Sequence, residues 1–224
     1  MHEGVKAEVF KKHRVAGGGY KKNVKCPNCL SVDRSRLLYL FFELRTKVFL
    51  QPTKILHISP NFEIARFLSQ HKTVDQTVGA LEPEHFTEFN GVKIDIQKID
   101  FADDMFDVLI CCHVIEHVDD DLAAMRELYR ILKPKGFAVL QVPLAIDLKT
   151  TIEDKSATTN KLRKIAHGQN DHVRLYGLDY LDKLRSVGFR VVRDNPYDNK
   201  WLSEEELRKH ALDRIEDVIV CYKD

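Results

Sequence analysis

The chain lacks the features that mark membrane, secreted or strongly charged proteins. No segment approaches the roughly 20 consecutive apolar residues that a membrane span needs, and residues 1–15 lack the apolar core of a signal peptide. The 35 basic and 34 acidic residues leave a net charge of only +1, and no internal repeat or low-complexity segment occurs. These absences predict a soluble protein that has no membrane partner.

The chain has few cysteines, and their positions do not suggest disulfides. There are five, an odd number: Cys26, Cys29, Cys111, Cys112 and Cys221. Two of them fall inside a continuous apolar run, which favours a reduced, cytoplasmic compartment. With 224 residues, 44% of them hydrophobic, the chain has enough material for one well-packed domain and a small appendage.

The segment 101–143 contains the clearest pattern in the chain. Phe106–Cys112 and Phe137–Val142 are apolar runs typical of strands buried on both faces. Between them, apolar residues recur at helical spacing after the acidic triplet 119–121, and the sequence KPKG predicts the end of that helix and a turn. The segment therefore predicts a βαβ unit. Polar residues follow its first strand at the edge of the sheet where ligands bind in such folds, namely His113, Glu116 and His117.

The same segment resembles a known family. FDVLICCHVIEHVDD followed by AMRELYRILKPKG is similar to class I S-adenosylmethionine-dependent methyltransferases, in particular to a type 11-like subgroup with the pattern FDxI..xHVLEHVxDD..AMxELxRVLKPGG. The similarity continues through QVPLAIDLKTTIEDKS and GQNDHVRLYGLDYLDKLRSVGF, so it covers most of residues 54–193. It implies a Rossmann-like, doubly wound α/β sheet of seven strands in the order 3-2-1-4-5-7-6, with the last strand antiparallel, and S-adenosylmethionine as cofactor.

The remaining patterns fit this sheet. A helix is expected at Ser35–Thr46, with Leu37, Leu38, Leu40, Phe41 and Leu44 directed to the core. Further strands are predicted at Lys54–Ser59, Gln76–Leu81, Val92–Ile94, Phe189–Arg193 and Glu216–Tyr222, and further helices at Phe62–His71 and Tyr180–Val187.

The first strand-to-helix turn departs from the family pattern. It has no glycine, although glycine usually allows the main chain to approach a nucleotide closely, and its usual acidic residue is replaced by a histidine. The resemblance nevertheless assigns this turn to the cofactor, through His57, Ser59, Pro60 and Asn61.

Two further cofactor contacts follow from the resemblance. Glu82 is the nearest acid to the position that binds the ribose hydroxyls, and the equally supported alternative is that it merely begins the next helix. Asp95 stands where the family places a carboxylate that binds the adenine amino group, and the main-chain amide of Ile96 would contact the ring.

The end of the fourth strand carries the candidate chemistry. Cys112 and His113 are expected beside the sulfonium, and His113 is the first candidate for a general base, with a packing or capping role as the alternative. His113, Glu116 and His117, completed by His172, also resemble the element that binds a divalent metal in some O-methyltransferases. Because the same LEHV pattern is widespread in methyltransferases that use no metal, the sequence favours catalysis or loop support by these residues over a metal site.

The N-terminal residues 1–47 form a basic arm, with eleven Lys or Arg against four acids, ahead of the methyltransferase domain at 48–224. Such an arm could contact a nucleic acid, a phosphorylated metabolite or the acidic body of the same protein, and a solvated surface is favoured slightly over nucleic-acid binding. Cys26 and Cys29 are half of a zinc knuckle, and the lack of a second CxxC pair makes a degenerate knuckle the preferred interpretation.

The long polar segment 144–176 is predicted to be a substrate lid. Its polarity favours a small hydroxylated or anionic acceptor, such as a sugar, a nucleotide-linked sugar or a phosphate-bearing metabolite. The sequence therefore predicts O-methylation of a small polar molecule. The alternatives are a nucleic-acid methyltransferase that uses the basic arm, and a non-catalytic regulator that binds the cofactor. The sequence indicates no oligomeric state.

Overall fold

The computed structural model describes residues 7–18, 25–28 and 30–224. Its strands are β1 (Val15–Ala16), β2 (Thr53–Ile58), β3 (Val74–Ala80), β4 (Val92–Lys93), β5 (Phe106–Cys112), β6 (Leu132–Gln141), β7 (Leu144–Ala145), β8 (Arg190–Asp194) and β9 (Val218–Tyr222). Its α-helices are α1 (Glu8–Lys12), α2 (Asp33–Arg45), α3 (Phe62–Ser69), α4 (Asp121–Ile131), α5 (Asn160–His167), α6 (Tyr180–Ser186) and α7 (Glu204–Lys209). Short 3₁₀ helices occur at Pro83–Phe89 and Ile115–His117. No helix in these ranges is long and apolar enough to cross a membrane.

Seven strands form one sheet in the order β4-β3-β2-β5-β6-β9-β8. The first five are parallel to one another, whereas β9 is antiparallel to both β6 and β8. This arrangement confirms the predicted order and the antiparallel last strand. Since the order reverses between β2 and β5, the carboxyl ends of these two strands border the crevice in which such sheets bind ligands.

Alternate residues of each central strand face opposite layers of helices, because side chains alternate across a strand. On one face, strand residues such as Ile55, Ile110 and Val139 pack against α2 and α3. On the other face, residues such as Leu109 and Leu140 pack against α4 and α6. The sheet is therefore covered on both sides, and α2 belongs to the same core as the sheet.

Two local predictions need correction. The helical pattern places Leu44 on the core, but its side chain is 54% exposed, and the fully buried Phe42 takes the inward position beside Leu38 and Phe41. The KPKG segment was expected to form a turn, yet α4 ends at Ile131 and β6 begins immediately. These residues form an irregular start to β6, where Lys135 has a positive φ and regular pairing with β5 resumes at Phe137.

The described part of the N-terminal arm packs on the body of the protein. Strand β1 pairs antiparallel with β7, which follows the carboxyl end of β6. Helix α1 contacts α5, and the Phe10 ring lies so close to Gly168 that a Cβ atom there would be 2.1 Å from the ring. The arm thus crosses the ligand-binding edge of the sheet.

Candidate functional site

Two turns at this edge adopt a left-handed main-chain conformation without glycine. Ser59, directly after β2, has a φ of 44°, and His113, directly after β5, has a φ of 60°. Non-glycine residues adopt such angles at an energetic cost, and they concentrate at functional sites. Ser59 therefore takes the conformational role that a glycine usually has in the first turn of this fold.

The side chain of Glu116 lies at the centre of a histidine cluster. It is 1% exposed, and neither of its carboxylate oxygens has a hydrogen-bond partner. Its Oε1 lies 3.5 Å from His113 Nδ1 and 3.9 Å from both His117 Nε2 and His172 Nε2. The structure thus brings together all four side chains that the sequence nominated for catalysis.

Burial and mutual contact set the charge states of this cluster. Burial lowers the pKa of His172 to about 4 and also lowers the pKa of His113, against the opposing effect of Glu116. Burial opposes ionisation of Glu116, but the close contact with His113 and the proximity of His117 and His172 outweigh this effect and lower its pKa. At neutral pH the arrangement is a buried carboxylate, with His113 and His172 neutral beside it.

Arg174 holds the loop that carries Glu116 and His117. Its guanidinium is 1% exposed and donates hydrogen bonds to the main-chain carbonyls of Ile115, Val118 and Asp119. It also forms ion pairs with Glu153 at 3.1 Å and with Asp121 at 3.8 Å. Arg174 is therefore a positioning residue for the cluster.

His172 is held by its own neighbours. Its main-chain carbonyl lies 3.0 Å from His167 Nδ1, while His167 Nε2 accepts a hydrogen bond from the amide of Asp154. Since one ring nitrogen of a neutral imidazole accepts and the other donates, Nδ1 of His167 is the donor to His172. The segment that was predicted to be a lid therefore contributes directly to the site.

A narrow cavity of about 20 Å³ lies next to the cluster, between α2 and the strand ends. Asn61, Cys112 and His113, all predicted to contact the cofactor, line it together with Arg34 and Gln141. Burial raises the pKa of the Cys112 thiol to about 12, so this side chain is a neutral wall of the cavity. The side chain of Asn61 donates to Ser35 Oγ, which joins the first turn to α2.

The other predicted cofactor residues do not line this cavity. His57 is buried within β2, where burial lowers its pKa to about 3. Glu82 is exposed beside His85 at the start of a 3₁₀ helix, as the helix-start alternative predicted. Asp95 is exposed and accepts a hydrogen bond from the amide of Gln97, whereas Ile96 is buried.

A second cavity, of about 310 Å³, lies between the loop after β5 and the segment 153–174. Charged side chains of both signs line it, including Asp119, Glu153, Lys155, Arg163 and Arg174. Its size is within the range of sites for small ligands. None of the four side chains of the histidine cluster lines it, but two lining residues connect it to the cluster: His167, which contacts the carbonyl of His172, and Val173, whose amide donates to the carbonyl of Glu116.

The zinc hypothesis lies partly outside the described residues, because Cys29 is not among them. Cys26 is half-buried in a tight turn in which the Leu30 amide donates to its carbonyl.

Sequence reasoning did not identify Arg34, Gln141 or Glu216 as site residues. Arg34 on α2 and Glu216 before β9, which accepts from the Gly17 amide, reach the strand ends through tertiary packing, whereas Gln141 is itself the last residue of β6. No local motif marks them.

Comparison with known proteins agrees with this architecture. A family model described as a methyltransferase domain matches residues 55–140, which span β2 to β6. A comparison with curated protein sequences finds no match.

Solved structures share the fold over most of the chain. An S-adenosylmethionine-dependent methyltransferase from Mesorhizobium loti is 16% identical, with a TM-score of 0.54 over 83% of this chain and 96% of that chain. The partner of the Trm112 methyltransferase activator in a Haloferax volcanii complex is 13% identical, with a TM-score of 0.56 over 85% and 90%. The cyclase SpnF is 16% identical, with a TM-score of 0.54 over 70% and 58%. Residues 55–140 therefore match the model of a methyltransferase domain, and the chain shares the Rossmann-like fold of these solved structures.

Proposed function

We propose that the protein transfers a methyl group from S-adenosylmethionine to an oxygen atom of a small polar acceptor. One observation carries the proposal: the buried carboxylate of Glu116 has no hydrogen-bond partner and lies among three imidazoles, directly after β5. A buried carboxylate without partners is costly, so its presence at a ligand-binding edge indicates a group that binds there.

The donor set fits a divalent metal ion. One ligand atom from each of Glu116, His117 and His172 lies within 4.8 Å of the others. Neutral imidazoles and a carboxylate are suitable ligands for zinc and other transition metals. Such an ion would polarise an acceptor hydroxyl and favour loss of its proton. We therefore propose these three residues as its ligands, although the sequence alone favoured a metal-free site.

His113 is the candidate base. Its Nδ1 faces Glu116, while its Nε2 is buried without a hydrogen-bond partner. Since Glu116 orients the ring, Nε2 is the atom that would accept the proton of the acceptor hydroxyl. The methyl transfer itself is an in-line displacement that requires alignment of donor and acceptor, and the closely packed turn after β5 supports this alignment.

The acceptor class follows from the cavity beside the cluster. Its volume of about 310 Å³ suits a small molecule, and its lining of both charge signs suits a polar one. Several basic residues of the described arm have partners within the protein, which favours a small acceptor over nucleic acid. For example, Arg36 donates to the carbonyls of Ser31 and His210, and Lys11 pairs with Glu8.

The test is turnover with a panel of hydroxylated and phosphorylated small molecules, with S-adenosylhomocysteine formation as the readout. We expect activity that chelation abolishes and that Mg²⁺, Mn²⁺ or Zn²⁺ restores. Substitution H172N should lower activity and metal content together, whereas H85N, at an exposed histidine away from the cluster, should change neither. Turnover that resists chelation would remove the metal from the proposal.

The competing function is a non-catalytic regulator that binds the cofactor. It gains support from the structural likeness to a cyclase, which means that this fold alone does not dictate methyl transfer. Calorimetry separates the two outcomes. Binding of S-adenosylmethionine without turnover of any acceptor would favour the regulator, and binding of neither cofactor form would exclude both functions.

A further inference from the structure

The main chain of Gly17 lies between two oppositely charged side chains at the ligand edge. Its N–H donates to the carboxylate of Glu216, and its C=O accepts from Arg34 Nη1 at 3.5 Å. Gly17 has a φ of +71°, and a Cβ there would lie 3.1 Å from Glu216 Oε1 and 3.2 Å from His113 Cε1. Gly17 thus fills the space between Arg34 and Glu216. The candidate base His113 borders the same space.

Arg34 reaches into the narrow cavity that Asn61, Cys112 and His113 line. Its Nε is buried and has no hydrogen-bond partner. A guanidinium is always charged and has five donors, and a buried donor without an acceptor is destabilising. An anionic group in this cavity would supply the acceptor that Arg34 Nε lacks.

Glu216 provides the opposite charge. It is 5% exposed and precedes β9, so it approaches the edge from the side of β6. Together, Glu216 accepts from the N–H of Gly17 and Arg34 donates to the C=O of the same residue. An α-amino-acid group carries an ammonium and a carboxylate on one carbon atom, with a similar separation. Gly17 therefore occupies the same pair of contacts that such a zwitterion would make.

We infer that Arg34 and Glu216 form a subsite for a zwitterionic α-amino-acid group, and that Gly17 occupies this subsite when no ligand is bound. The inference rests on the proposed function, since the cofactor S-adenosylmethionine ends in such a group. Arg34 binds its carboxylate, and Glu216 binds its ammonium. The arm around Gly17 must then move when the cofactor enters.

The experiment is calorimetric titration of the full chain with two probes. S-adenosylhomocysteine carries the amino-acid end, whereas 5′-methylthioadenosine lacks it and is otherwise closely similar. For the variant R34Q we expect affinity for S-adenosylhomocysteine to fall about 10- to 100-fold, as loss of a charged hydrogen bond implies, and affinity for methylthioadenosine to stay constant. E216Q should give the same selectivity with a smaller loss, and R34K should retain part of the affinity.

The matched control is R45Q, which removes the same charge from the far end of α2, where Arg45 pairs with Asp194. It should leave both affinities unchanged. Equal losses for both probes in R34Q, or no loss for either, would overturn the inference while leaving the proposed function intact. A wild-type protein that binds neither probe would overturn both.

Hydrogen–deuterium exchange tests the displacement of Gly17 without any substitution. If the amino-acid end takes over the contact with Glu216, the Gly17 amide loses its acceptor, and exchange in residues 15–18 should rise on saturation with S-adenosylhomocysteine. Slower or unchanged exchange there would contradict the displacement.

Discussion

At the residue scale, the turn after β2 shows how the chain manages without a glycine. Ser59 adopts a φ of 44° with its side chain exposed, while its amide donates to the carbonyl of Gly79. The left-handed conformation costs a non-glycine residue about 1 kcal/mol or more. The fold therefore keeps an avoidable strain at its ligand-binding edge.

The substitution S59G should relieve this strain. We expect the free energy of unfolding to rise by about 1 kcal/mol, because glycine adopts this φ without a steric penalty. Chemical denaturation measures the change. S59A is the control, since alanine keeps the penalty, and an equal gain in S59A would show that the conformation at this position is not strained.

His57 makes a second prediction at this scale. Its side chain is buried, and burial lowers its pKa from 6.5 to about 3, so the folded protein resists its protonation. Below pH 6.5 the unfolded chain binds this proton while the folded chain does not, so stability falls with decreasing pH through this window. H57L should reduce the slope of unfolding free energy between pH 6 and pH 4 by about 1.4 kcal/mol per pH unit. An unchanged slope in H57L would contradict the burial of an uncharged imidazole at this position.

At the scale of elements, the segment after β6 is more than a polar excursion. Leu175 and Tyr176 are buried, the Val173 amide donates to the carbonyl of Glu116, and Arg174 binds the loop after β5. The segment thus fixes the geometry of the histidine cluster from outside the sheet.

Replacement of Arg174 should therefore damage stability and the site together. R174A removes the ion pair with Glu153 and leaves three main-chain carbonyls without their buried donor, whereas Asp121 keeps Lys183 and Tyr176, and we expect a loss of about 3–5 kcal/mol of unfolding free energy. R174K keeps the charge but not the planar set of donors, and should give a smaller loss. Thermal and chemical denaturation measure both. A loss below about 1 kcal/mol in R174A would mean that the loop is held by other contacts.

The sequence predicts the positions of the helices and strands better than the side-chain contacts between them. The strand at Phe106–Cys112 has the predicted bounds, because a continuous apolar run between polar residues leaves little choice. The sequence also predicts the site residues His113, Glu116, His117 and His172. The first three belong to the single local motif HVIEHV. In contrast, two findings depend on how distant elements pack, which no local pattern contains. Phe42 rather than Leu44 is buried in the core. Arg34 and Glu216 both contact Gly17 at the edge of the sheet.

At the scale of the whole molecule, the first described residues close over the end of the sheet. The two residue pairs between β1 and β7, the contact of Phe10 with Gly168 and the proximity of His13 to Asp147 at 3.2 Å hold them there. The arm therefore contacts acidic residues of its own protein, one of the anionic partners that its charge allowed.

Removal of the Phe10 ring should loosen this closure. F10A deletes a buried aromatic side chain at the edge of the protein, and we expect faster proteolysis and faster amide exchange in residues 7–18 with little change in the central strands. K11A, at an exposed neighbour on the same helix, is the control. Equal protection of the arm in F10A and K11A would show that the β1–β7 pairing alone holds it.

The pairing of β1 with β7 has a kinetic consequence. Only two residues on each side join this ribbon, so its opening disrupts few main-chain hydrogen bonds and should be frequent compared with unfolding of the seven-stranded sheet. A ligand bound beneath it would enter and leave at the rate of this local event. Residence time on the protein would then be governed by the short pairing at Val15–Ala16, far in sequence from the candidate site residues after β5.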